Sequence, residues 1–197
     1  TSYEEMVLGE QTSIQSLAFA QNMTKYSASL ETGNIIFVCS LTDDSACDEH
    51  EVRGPDYTTD QTGGTPAALI DAMDWDPSGR LLAFDYGVCV NVPGKDCPYY
   101  QWSIGILNTE TGYVSYPFGN QSSEYDIGFP SFSNLTDRYI AFDLIHYTAD
   151  ADNGVGNSLV MILDTQESDL KVGAFPDAGL LSGPNGTTYG MATFTAD

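Results

Sequence analysis

The stretch Met73-Asp74-Trp75-Asp76-Pro77-Ser78-Gly79-Arg80-Leu81-Leu82-Ala83-Phe84-Asp85-Tyr86-Gly87 sets out the plan of the chain. A short apolar segment ends on Trp75, and Asp, Pro, Ser and Gly then supply a tight turn. A second apolar segment, Leu81 to Gly87, runs back along the first, which is the pattern of paired strands. The same shape recurs on both sides, as FPSFSNLTDRYIAFDLI from Phe129 to Ile145 and, more weakly, as SLAFAQNMTKYSASL from Ser16 to Leu30. The copies align on an aromatic (Phe19, Trp75, Phe132), a basic residue (Lys25, Arg80, Arg138) and a small one (Ala28, Ala83, Ala141). From Ala28 to Ala83 is 55 residues, and from Ala83 to Ala141 is 58.

Each copy is followed by a further apolar run that ends in a turn: NIIFVCSLTD from Asn34, WSIGILNTETG from Trp102 and SLVMILDTQES from Ser158. A last short strand follows at Tyr113 (YVSYPF) and Leu170 (LKVGAF), with a fainter counterpart near Glu51 to Arg53. The near-continuous apolar run Ser158–Asp164 suits a strand covered on both faces. Only Pro66–Met73 offers a short helical turn. Four short antiparallel strands repeated every fifty-odd residues are the pattern of a β-propeller. The expected fold is therefore all-β, with about three complete blades plus flanking strands in one segment, 1–197. The blades are placed at about 14–56, 70–118 and 128–175, with partial blades at 1–10 and 187–197.

The wording of the repeat resembles the TolB-like propeller family, whose units run aromatic-Ser-Pro-Asp-Gly-x-x-Ile-Ala-Phe and close on an Asp strand end and a Thr-Gly turn. Trp75 to Phe84 carries that motif nearly complete; Tyr139-Ile140-Ala141-Phe142-Asp143, Leu163-Asp164-Thr165 and Asn108-Thr109-Glu110-Thr111-Gly112 carry parts of it. The resemblance covers roughly residues 14–197. It implies the fold and leaves function open, since the same repeat serves many proteins.

At the ends, Tyr3–Gly9 reads as the outer strand of an earlier blade and Thr188–Asp197 as the inner strand of a later one. Three blades and two orphan strands leave unpaired edges, which invite strands from other chains. Two accounts fit: a piece of a longer propeller, or a subunit that polymerises by exchanging strands.

Six Lys and Arg stand against 28 Asp and Glu, for a formal net charge of −22. Such a surface repels phosphate backbones and anionic lipid, so nucleic acid and membrane are poor partners, whereas cations, basic proteins and neutral sugars are compatible. No apolar run approaches the roughly 18 residues of a membrane span. The cysteines form two local pairs, Cys39 with Cys47 and Cys89 with Cys97, which suit two disulfides and an oxidising, extracellular or periplasmic setting. Four free thiols or a zinc site are the alternatives, although zinc-ribbon CxxC spacing is absent. Sequons at Asn22, Asn120, Asn134 and Asn185 agree with a secreted glycoprotein.

Residues for catalysis are sparse. The two histidines are His50, in an acidic loop, and His146, near a strand end; no Gly-x-Ser-x-Gly elbow accompanies them. Gly154-Val155-Gly156 lacks the lysine and third glycine of a phosphate loop. Asp150, Asp152, Asn153 and Asn157 around Gly154 offer hard oxygen ligands and make calcium the candidate cofactor, an ordinary acidic turn being the plainer reading. Asp43, Asp44, Asp48 and Glu49 form a lesser cluster of the same kind. The loops at Cys89–Cys97 and at Asp150 each join the second and third strands of a blade, so both emerge on one face. Tyr86, Tyr99, Tyr100 and Trp102 are expected to give that face a surface for a protein partner or a glycan. The expected function is a non-catalytic binding or structural module, self-assembling through its open edges. The alternative is the propeller of a larger secreted enzyme, a prolyl-oligopeptidase-like peptidase or a polysaccharide lyase.

Overall fold

The computed structural model describes residues 13–31, 33–43, 47–54, 66–89, 100–118, 125–147, 155–166 and 194. Within them lie eleven strands and no helix: β1 (Ile14–Phe19), β2 (Lys25–Leu30), β3 (Ile35–Ser40), β4 (Asp48–Glu51), β5 (Leu69–Trp75), β6 (Leu81–Cys89), β7 (Tyr100–Asn108), β8 (Tyr113–Ser115), β9 (Tyr125–Phe132), β10 (Tyr139–Tyr147) and β11 (Val155–Asp164). They form three antiparallel meanders, ordered β1-β2-β3-β4, β5-β6-β7-β8 and β9-β10-β11. The inner strands touch in succession, β1 on β5 and β5 on β9, so the sheets stack face to face around one line. These are propeller blades. The helical turn expected at Pro66–Met73 is instead the entry to β5, with Pro66 bridged to Arg53. The outer strand of the first blade is β4, slightly ahead of the expected Glu51–Arg53. The fourth strand expected at Leu170, and both partial blades except Phe194, lie outside the described residues.

Two cores fill the gaps between sheets. Ile36, Val38, Ile70, Trp75, Leu82, Phe84 and Leu107 pack between the first and second sheets. Ala83, Ile104, Phe132, Ile140, Phe142 and Leu163 pack between the second and third. β6 supplies both, sending Leu82 and Phe84 one way and Ala83 the other. That is why Leu82 to Val88 is buried without a break, where a sheet wet on one face would alternate.

The repeat repays its sequence in bonds. The residue after each third strand donates its backbone N–H to the turn between strands one and two: Leu41 to Thr24, Thr109 to Arg80 and Thr165 to Arg138, at 2.8, 3.0 and 2.7 Å. Asn108 and Asp164 turn the chain there by accepting backbone N–H groups two residues on, an Asx turn. The latch also corrects the register of the first copy. Thr24, not Lys25, is the counterpart of Arg80, and Ser27, paired with Ala18, takes the place of Ala83, paired with Asp74. Lys25 already belongs to β2, one position beyond the turn that Arg80 and Arg138 occupy.

Asp76 explains the Asp-Pro-Ser-Gly turn. Its buried carboxylate accepts the N–H groups of Ser78, Arg80 and Leu81. Gly79 sits at φ 71°, where a Cβ would be strained and would press on the Asn22 amide.

Candidate functional site

The sheets are joined to one another chiefly through side chains, and these define the cleft between the second and third. Asp85 on β6 is nearly inaccessible. It accepts the N–H of Ala72 at 2.7 Å within its own sheet, and that of Phe129 at 2.9 Å on the next. Both donors lie at irregularities in pairing, between Ile70 and Met73 on β5 and opposite Ala141 to Asp143 on β9, where a bulge frees an N–H from the ladder. Phe129 has φ 52°, uncommon for an aromatic residue, and its N–H is turned toward that carboxylate. Asp74 binds Phe132 N–H at 2.7 Å and the Ser131 hydroxyl at 3.2 Å in the same way. Burial pushes the Asp85 carboxyl up to about 6 against the pull of these N–H groups, with the charge of Asp71 adding to the rise. Burial also raises Asp74.

At the end of the sheets where β6 leads into β7, this arrangement opens into a cavity of about 270 Å³. Trp102, Ile127, Phe129 and Ile145 supply apolar wall, and Asp71, Asp85 and Asp126 supply carboxylates. Asp126 is fixed from two sides, by the Trp102 backbone N–H at 3.0 Å and the Tyr147 hydroxyl at 2.7 Å. Burial and the adjacent Asp126 push the Tyr147 phenol up to about 12, which holds its proton in place as a donor. Asp71 accepts from Gln15 of β1 at 3.1 Å. Among the described residues no set of three His, Cys, Asp or Glu side chains converges as a metal site.

The residues singled out in the sequence are distributed unevenly around this cavity. Trp102 lines it, and Tyr100 stands partly exposed at the start of β7. Tyr86, expected on the surface, is instead fully buried in the first core, edge-on to Tyr116; on β6 it falls on the face that meets the first sheet. Tyr99 lies outside the described residues, as do Asp150, Asp152 and Asn153 of the calcium candidate. Asn157, expected in that loop, is inside β11 and paired with His146. His146 stacks on Tyr125 at 4.7 Å. His50 is on β4 rather than in a loop, and burial lowers its pKa while Asp48 raises it. Cys39 and Cys47 form a disulfide; Cys89 is also disulfide-bonded, and Cys97 lies outside the described residues.

Of the sequons, Asn120 and Asn185 lie outside the described residues. Asn22 and Asn134 use the nitrogen that a glycan would need, donating to the carbonyls of Ser78 and Phe194, both at 2.8 Å. Gln21 in turn reaches Asn134 across the stack at 3.2 Å. Asn22 thus ties its turn to the turn after β5, and Asn134 ties its turn to the Phe194 carbonyl. In sequence, Asp71 and Asp126 look like ordinary polar strand positions, and the cavity they line with Asp85 forms only when the sheets stack. A signal was available: Asp85 and Asp143 occupy the same place in successive copies, in the middle of an otherwise apolar second strand.

No protein-family profile and no curated protein matches the chain. Among solved structures, an ancestral GH74 enzyme aligns over 86% of this chain and 18% of its own length, at 12% identity and TM-score 0.47. Hydrazine synthase of Kuenenia stuttgartiensis aligns over 78% and 51%, at 13% identity and TM-score 0.33. An Agrobacterium tumefaciens protein assigned as TolB aligns over 78% of each chain, at 16% identity and TM-score 0.26. The chain thus spans less than a fifth of the first of these and about half of the second. The propeller architecture is seen in the sheet order and in the stacking of β1, β5 and β9.

Proposed function

We propose that the chain is a non-catalytic extracellular or periplasmic module that binds by stacking sheet on sheet and assembles with further copies through the open face of β1. The observation behind this reading is the fate of the repeat aromatic. Trp75 and Phe132 are 0% and 1% exposed, Trp75 packing on the first sheet and Phe132 on the second, whereas Phe19 is 50% exposed. Ile14 and Leu17 lie beside it on the same face, at 45% and 47%. A blade face whose counterparts are sealed by a neighbouring sheet is suited to receive one. The Cys39–Cys47 disulfide supports an oxidising compartment, and the described residues contain no helix long and apolar enough to cross a membrane. The −22 charge disfavours nucleic acid and anionic lipid as partners.

Sedimentation velocity of the chain and of Phe19→Asp is the test. The wild type is expected to associate as concentration rises and the variant to stay monomeric with an unchanged circular dichroism spectrum. A wild type that remains monomeric throughout overturns self-assembly, and the propeller of a larger secreted enzyme then becomes the reading to pursue.

A further inference from the structure

The cavity lies between the second and third sheets, and its lining residues are distinct from Ile14, Leu17 and Phe19, which form the open face of β1. We infer that it is a docking site for a cationic side chain, an arginine presented by a basic partner protein. The walls and the charges are complementary to that group in different ways. Trp102 and Phe129 offer aromatic surface, over which a planar guanidinium is attracted to the ring faces. Asp71 accepts one bond and Asp126 two, and their carboxylate oxygens keep further lone pairs for a fork of N–H donors. Asp85 closes the inner end, where its negative charge is poorly solvated and gains most from an incoming cation. A volume of about 270 Å³ accommodates one such side chain and excludes a folded element. Arginine fits better than lysine because its flat, weakly hydrated head both stacks and chelates.

The chemistry also argues against a second copy as occupant. Only six Lys and Arg are present, and Arg53, Arg80 and Arg138 are already paired with Glu51, Asp137 and Asp164. The carboxylates, moreover, do not converge as a metal site needs. A basic partner remains, steered toward this surface by the overall charge.

The probe is Nα-acetyl-arginine methylamide, with the citrulline analogue as its neutral isostere, followed through the Trp102 indole N–H by NMR at physiological salt. Arginine is expected to give a saturable shift and citrulline none. Asp71→Asn should weaken binding at least fivefold, while Glu49→Gln on exposed β4 leaves it unchanged. If Asp71→Asn disturbs the fold, Phe129→Ala reads the aromatic wall instead, with the same expected loss. Equal shifts from citrulline, equal weakening by Glu49→Gln, or no saturable shift overturns the inference. Self-association of the same samples by sedimentation is independent of these outcomes, so failure of the cavity and failure of β1 stacking are told apart.

Discussion

Asp85 shows how one side chain can hold two sheets and set a pH dependence. Its folded pKa, near 6, lies above the value of an exposed aspartate because burial opposes the charge. The native state therefore binds a proton that the unfolded chain has already released between about pH 4 and 6. In that window this group's contribution to stability falls as pH rises, and at neutral pH the penalty has an upper bound of about 3 kcal/mol. Asparagine carries no charge but has a single acceptor oxygen, so it leaves either Ala72 or Phe129 N–H unsatisfied. Asp85→Asn is accordingly expected to lower stability by about 1–3 kcal/mol while flattening its slope between pH 4 and 6. Urea unfolding at half-unit pH steps, wild type beside variant, measures both. A variant that keeps the wild-type slope would show that Asp74 or the bulk charge sets it.

At the scale of strands, what could be read from sequence was the part that periodicity and turn chemistry carry. The Asp76-Pro77-Ser78-Gly79 turn and the turns at Thr109 and Thr165 follow from residue types, whereas double coverage, expected for Ser158–Asp164, is found on β6. The first copy was legible only approximately, since Lys25 mimicked Arg80 one position late and only hydrogen bonding reveals the offset. Tyr86 was misread because a strand's two faces look alike in sequence when both are buried. The cavity was not visible, because Asp71, Trp102 and Asp126 come from three strands whose meeting depends on how sheets stack. One strand position tests the packing directly. Gly105 on β7 pairs with Phe84 on β6, and a Cβ there would clash with the tip of the Phe84 ring. Gly105→Ala is expected to cost about 1–3 kcal/mol or more, with Phe84→Leu in the same chain restoring part of it. Chemical denaturation of the two variants decides. Full stability in Gly105→Ala would mean the ring has room to move.

For the whole molecule, charge is the dominant feature that no local contact resolves. With −22 spread over 197 residues, self-repulsion favours expansion, and the three described ion pairs offset little of it. Raising sodium chloride from about 0.01 to 0.5 M should shorten the screening length severalfold and raise the thermal midpoint by several degrees. A midpoint that falls with salt would indicate that the ion pairs outweigh the repulsion. The same screening should strengthen stacking at Phe19 and weaken any arginine held in the cavity, so the two surfaces are expected to respond to salt in opposite directions.

The ties between blades bear on how the molecule yields to load. Within a blade, neighbouring strands share backbone ladders, whereas Ser29 to Ile70, Asn22 to Ser78, Asp74 to Phe132 and Asp85 to Phe129 each join sheets through one side chain. A pull applied across the stack meets these single links first, so the blades should part as intact plates before any of them unravels. In an extracellular fibre such joints would act as compliant hinges that give way and re-form, leaving the plates themselves to set the ultimate strength.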